Sequence, residues 1–166
     1  MKKAHQLFYN IVKYMNSFVL FSMFFIILLQ VFYRKVLGNP LTWPEEIALL
    51  TMIWVTFIGA YQSMYEEGHL KMSFIEDKLS KRGKSFLLIF SKLIIIAFLA
   101  IANYWALPFI QSAGKVKLPI TDLPMALPYG IIWAALLLML IEVIIQIVLE
   151  ILKISKQTKS TEEGHK

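Results

Sequence analysis

Few side chains in this sequence have the chemistry to act on a substrate, and they are scattered. The histidines are His5, His69 and His165, all outside the long apolar runs, and cysteine is absent. Thiol nucleophiles, thiolate metal sites, iron–sulfur clusters and disulfides are therefore excluded. A transmembrane haem would need imidazoles within the bundle, which disfavours that class. No G-x-S-x-G, H-E-x-x-H or P-loop spacing occurs. These residues indicate no enzyme, no metal centre and no bound cofactor.

The ionisable groups offer pairing instead. Lys92 and Glu142 each interrupt an apolar stretch about seven residues from the end of its segment, near Ser85 and Leu149, so antiparallel packing would place them at similar depth. A charge at the centre of a bilayer costs about 2.5–3.5 kcal/mol on insertion scales, so either a Lys92–Glu142 pair or a lysine snorkelling to headgroups is expected. Arg34 closes the first apolar run and Glu45 and Glu46 open the second. An Arg34–Glu46 or Arg34–Glu45 bridge is one reading, and groups facing headgroups and water are the other. Asp122 stands among Pro119, Pro124 and Pro128, a segment able to tilt the start of the last run.

The elements that position these residues follow from composition. Of 166 residues, 58% are apolar and 17% charged, with mean hydropathy +0.63. A soluble domain is about 45–50% apolar and about 25% charged. A hydrocarbon core of about 30 Å needs about 20 helical residues, and four segments qualify: spans of about 14–35, 46–66, 86–112 and 124–150. Segments this apolar satisfy their backbone in lipid only as helices, and no alternation of barrel type is present. The first span has no A-x-A cleavage site after it and reads as an uncleaved helix.

Twelve lysines and arginines fall on one side of these spans, in 1–13, the 66–85 loop and 153–166; four fall on the other, Arg34, Lys35, Lys115 and Lys117. The positive-inside rule therefore predicts cytoplasmic termini. The formal charge of +6 is then explained by topology and by attraction to anionic phospholipid, with no call for nucleic acid. The reading is an all-α integral membrane protein: a four-helix domain over 1–152 and a basic polar cytoplasmic tail over 153–166.

Local devices refine it. Gly38, Asn39 and Pro40 break the first helix, Thr42 and Glu45 have capping-box spacing, and Pro44 suits a first turn. Met72, Ile75, Leu79 and Phe86 predict a short amphipathic interfacial helix over 70–84. Trp43, Tyr61, Tyr65, Tyr129 and Trp133 read mostly as interfacial anchors. Trp54 and Trp105 fall deeper, where packing against another helix is expected. Gln30, Asn103, Gln111 and Gln146 are candidates for hydrogen bonds between helices.

Gln30-Val31-Phe32-Tyr33-Arg34, Pro40-Leu41-Thr42-Trp43-Pro44-Glu45-Glu46-Ile47-Ala48, Trp54, Gly59, Gly68-His69-Leu70 and Leu123-Pro124-Met125-Ala126-Leu127-Pro128 with Tyr129 carry a resemblance. In that order they resemble the small membrane subunit of tripartite ATP-independent periplasmic (TRAP) transporters, over essentially the whole chain to Leu152. The chain departs from many members at Leu49, where they carry an arginine, and at Ser73, where an acid is frequent. The resemblance implies a sodium-driven importer of organic acids, such as C4-dicarboxylates or sialic acid, in a bacterial inner membrane. It implies a large membrane subunit that holds substrate and sodium, and a periplasmic binding protein that delivers substrate. This chain would be a non-catalytic stator that widens the scaffold and helps dock the binding protein. Arg34, Trp43, Glu45, Glu46, Trp54, Lys92, Asp122 and Glu142 are its structural or partner-interface candidates. The competing classes are a stand-alone homodimeric four-helix transporter or channel, and a membrane anchor for a redox enzyme.

Overall fold

The computed structural model describes residues 2–67 and 81–163. Four helices account for nearly all of them: α1 (Lys2–Val36), α2 (Trp43–Glu67), α3 (Lys81–Ala113) and α4 (Ala126–Glu163). Each contains a stretch long and apolar enough to cross a membrane, namely His5–Val36, Trp43–Glu66, Ile89–Ala113 and Ala126–Leu152. The fold is thus all-α with four membrane-spanning helices. The first span starts well before residue 14, because α1 runs through Lys13 without a break. The interfacial helix expected over 70–84 lies outside the described residues as far as 80, and Lys81–Lys84 form the first turn of α3. The last helix continues through most of the basic tail, to Glu163.

Helices pack side by side in the order α1, α2, α4, α3. α4 is the most covered, with 22% of its most apolar stretch buried, against 6% for α1. The core shows why. Ile58, Tyr61 and Tyr65 recur at helical spacing along one face of α2, and Ala135, Met139 and Val143 do so on α4. Tyr9 of α1 and Leu99 of α3 close the two flanks. Ala135 is completely buried, and its small side chain lets the helix backbones approach, the usual means of association where apolar burial drives nothing. Large apolar side chains elsewhere face outwards, including Phe18, Phe21, Phe25, Phe98 and Trp105. In water such faces would be untenable; in lipid they are the expected surface. Hydroxyls within the spans are satisfied on their own helix, as in Ser22 to the Phe18 carbonyl and Thr51 to the Ile47 carbonyl.

The ends are set by local rules. Gly38 takes a left-handed φ of 64° just past α1, where a side chain would be strained. α2 starts directly after Thr42, with Pro44 fully buried in its first turn. Between α3 and α4 the chain makes a small hairpin: Leu118 N–H donates to the Leu123 carbonyl at 2.8 Å and Met125 N–H to the Val116 carbonyl at 2.8 Å. Asp122 sits in the turn at φ 56°, a conformation that aspartate tolerates better than branched residues. At the base, Gly114 packs against Ala126, and the Ala126 N–H donates to its carbonyl.

Candidate functional site

Three features stand out: a clamp on the hairpin, a polar cluster at the opposite end of the helices, and an apolar groove. The clamp is Glu46. Its Oε1 accepts from Ile120 N–H at 2.8 Å; its Oε2 accepts from Thr121 N–H at 2.8 Å and the Thr121 hydroxyl at 2.6 Å. A carboxylate held by three donors is fixed in position, and charge-assisted bonds are the stronger kind. Glu46 is buried, although Glu45, one residue earlier, is exposed. This corrects the bridge read from sequence. Arg34 is exposed, and the Glu46 carboxylate is taken up by donors of the hairpin instead. The physical reason is that the hairpin tip comes to α2 with unpaired N–H groups, which outcompete a solvated guanidinium. Neither Thr42 nor Glu45 makes a side-chain hydrogen bond among the described residues, so α2 begins where the capping box predicts without using it. Asp122 is exposed in the same hairpin and shapes its turn, and Trp43 lies partly exposed at the head of α2.

The polar cluster joins three helices. Glu142, only 3% exposed, lies on α4. His5 Nε2 is 2.8 Å from its Oε2, and Gln146 Nε2 donates to its Oε1 at 3.0 Å. Gln146 Nε2 also donates to the Met64 carbonyl of α2 at 2.9 Å, so it bridges helices as its composition suggested. Tyr9 stacks on Tyr65 with centroids 3.9 Å apart, and the His5 ring lies 5.0 Å from Tyr65. The Tyr9 hydroxyl donates to Glu66, which also pairs with Lys13 at 3.2 Å. Asn16 Nδ2 donates to Gln62 Oε1 at 3.2 Å one turn further along.

Several sequence expectations change here. His5 belongs to the first apolar helix and is bonded to the buried acid. Tyr61 and Tyr65 are buried rather than interfacial, because α1 extends far enough to cover them. Trp105 is 65% exposed instead of packed on a neighbouring helix. Asn103 is buried, but its Nδ2 donates to the Leu99 carbonyl of its own helix. Lys92 is half-buried on α3. Sequence reasoning missed His5, Tyr9, Gln62, Glu66 and Thr121. A signal was present for the α1 members: His5, Tyr9, Lys13 and Asn16 recur at four- and three-residue steps, one face of a helix.

The groove lies between α2 and α4. It has a volume of about 430 Å³ and is lined by Trp54, Ile58, Pro124, Ala126, Leu127, Gly130, Ile131 and Ala134. Ala126, Gly130 and Ala134 keep its floor low. In its wall the Trp54 Nε1–H is covered and has no acceptor among the described residues. That is an unusual state for a covered donor. No three histidines or acids converge on a point among the described residues. The chemistry available to the arrangement is hydrogen bonding and packing.

Comparison with known proteins bears on this directly. Residues 23–153 match the family described as tripartite ATP-independent periplasmic transporters, DctQ component. No curated protein is similar enough to match the chain. The matched residues include the Glu46 clamp, the hairpin it holds, the groove and Glu142. The chain belongs to the DctQ family, the small membrane subunits of tripartite ATP-independent periplasmic transporters.

Proposed function

We propose that this chain is the non-catalytic scaffold of a sodium-coupled importer of organic acids, of C4-dicarboxylate or sialic acid type, in a bacterial inner membrane. The observation that carries the reading is the packing order α1, α2, α4, α3, a row of helices with broad apolar faces on which a larger membrane subunit can seat. Such a row offers a rigid wall, not a path for solute. The unsatisfied Trp54 N–H beside small residues supports a partner helix that brings an acceptor close.

Orientation follows the lysine and arginine count, so both termini are cytoplasmic and the hairpin over 114–126 is periplasmic. There the Glu46 clamp gives a preformed surface for a substrate-binding protein, which lowers the ordering cost of docking. Sodium belongs to the large subunit, and phospholipid covers the remaining apolar faces. The test is reconstitution. Co-expression with the adjacent large membrane subunit is expected to give a co-purifying complex, with sodium-dependent uptake only when the binding protein and both membrane subunits are present. Solute uptake into vesicles by this chain alone would overturn the proposal in favour of a self-sufficient transporter.

A further inference from the structure

The outer edge of α3 carries polar atoms at a depth where lipid tails offer them no partner. Tyr104 and Trp105 are 72% and 65% exposed. They lie nine and eight residues before the end of the Ile89–Ala113 span, about 12–13 Å along the helix and so within the hydrocarbon. Their rings meet edge-on with centroids 5.6 Å apart, but neither the phenol hydroxyl nor the indole N–H has a hydrogen-bond partner among the described residues. Side chains of a helix lean towards its N terminus, which for these two is away from the nearer headgroups, so snorkelling has little to offer them. Pro108 adds a third group, because it has no N–H to give to the Tyr104 carbonyl four residues earlier. A hydroxyl on the same helix can repair such a gap, but Ser112 donates to the Phe109 carbonyl at 3.1 Å.

These groups are aligned. Ala97, Ala100, Tyr104, Pro108 and Gln111 follow one another at three- and four-residue steps, which is one face of α3, and all are exposed. The face that meets α4 is a different one and includes the buried Leu99 and Asn103. At the other edge of the row, α1 asks nothing of its surroundings. Between Phe18 and Leu29 its one hydroxyl, Ser22, is bonded to its own helix and the remaining side chains are apolar.

We propose that this face of α3 seats a transmembrane helix of the large membrane subunit, one that presents a hydroxyl or amide side chain to Tyr104 and Trp105. The identity of the partner rests on the function proposed above; the polarity required of it does not. Acyl chains have no acceptor, and the ester carbonyls of phospholipid lie at the headgroup boundary. A serine, threonine, asparagine or glutamine side chain can accept from the indole N–H or the phenol and can donate to the Tyr104 carbonyl. Ala97 and Ala100 let the two backbones approach, and Gln111 supplies a further polar contact near the end of the span. Two-fold pairing of parallel α3 helices from two copies would set indole against indole, donor against donor. The α1 edge is left to lipid.

The test uses the full-length chain co-expressed with the adjacent large membrane subunit. Benzoylphenylalanine in place of Ile101, 61% exposed and three residues before Tyr104, is expected to photocross-link to the large subunit. The same group in place of Phe21, equally exposed on α1, is expected to react with lipid only. Tyr104→Phe combined with Trp105→Phe keeps two large aromatic rings and deletes the hydroxyl and the indole N–H. The unfolding midpoint of the isolated double variant is expected to match the parent, while its affinity for the large subunit falls at least about tenfold. A double variant that binds as tightly as the parent overturns the proposal, as does an Ile101 adduct with a second copy of this chain or with lipid alone. So does an adduct with the large subunit that arises from Phe21 and not from Ile101. In each of those cases the complex still forms and the scaffold reading survives, whereas a parent chain that fails to co-purify with the large subunit overturns both.

Discussion

Glu46 and Thr121 stand 75 residues apart in the chain, yet one carboxylate oxygen of Glu46 accepts from both the backbone N–H and the hydroxyl of Thr121. This relationship decides where the hairpin between α3 and α4 sits. It ties the head of the second helix to the connection between the last two.

Glu46→Gln tests the clamp. The amide retains one acceptor oxygen and turns an NH₂ group towards donors, so at least one of the three bonds is lost. Hydrogen exchange at the Ile120 and Thr121 amides is expected to become about tenfold faster, with the interior of α2 unchanged. Unaltered exchange at those two amides would show that the hairpin holds itself.

Gly114→Ala probes the base of the same hairpin. A Cβ there would collide with the Ile110 carbonyl oxygen and lie 2.9 Å from the Ala126 Cβ. Both neighbours are tied to backbone, so the chain must move. A loss of about 1–3 kcal/mol is expected in detergent unfolding titrations. A variant as stable as the parent would show that the α3–α4 connection yields freely.

Tyr61→Ala and Trp105→Ala form a matched contrast. Tyr61 is 2% exposed among three helices, and Trp105 is 65% exposed on α3. In the isolated chain the tyrosine truncation is expected to cost about 2 kcal/mol or more through lost packing, and the tryptophan truncation less than about 0.5 kcal/mol. Equal effects on the unfolding midpoint would contradict the burial described for α2.

Trp54→Phe retains a large ring and deletes the donor. On the scaffold reading, the stability of the chain alone is expected to stay the same, while its affinity for the large membrane subunit falls about tenfold. Pull-down with the co-expressed partner measures this. An undiminished complex would place the acceptor for the indole elsewhere.

The spans could be read from sequence because lipid imposes a length and an apolarity that hide little. The break at Gly38 and the start of α2 after Thr42 followed from ordinary end signals. The first span begins earlier than charge-free length alone indicates, because Lys13 lies within α1 and does not end it. Its side chain is half-exposed and paired with Glu66, a contact that involves residues 53 positions apart. Tyr65 looked like an anchor and Trp105 like a packed ring, since an aromatic side chain looks the same in sequence whichever way it points. The order of the helices was illegible for a related reason. When nearly every face of a helix is apolar, the polar stripe that reports orientation in soluble bundles is missing.

Placing the last helix between the second and third has a consequence for biogenesis. The first hairpin leaves the ribosome with the side of α2 that packs on α4 uncovered, and the third helix arrives with nothing of its own to lean on. The central seam closes only after α4 has been inserted, so a nascent chain cut short before residue 126 would present two unmatched surfaces to the membrane and to the quality-control proteases that patrol it.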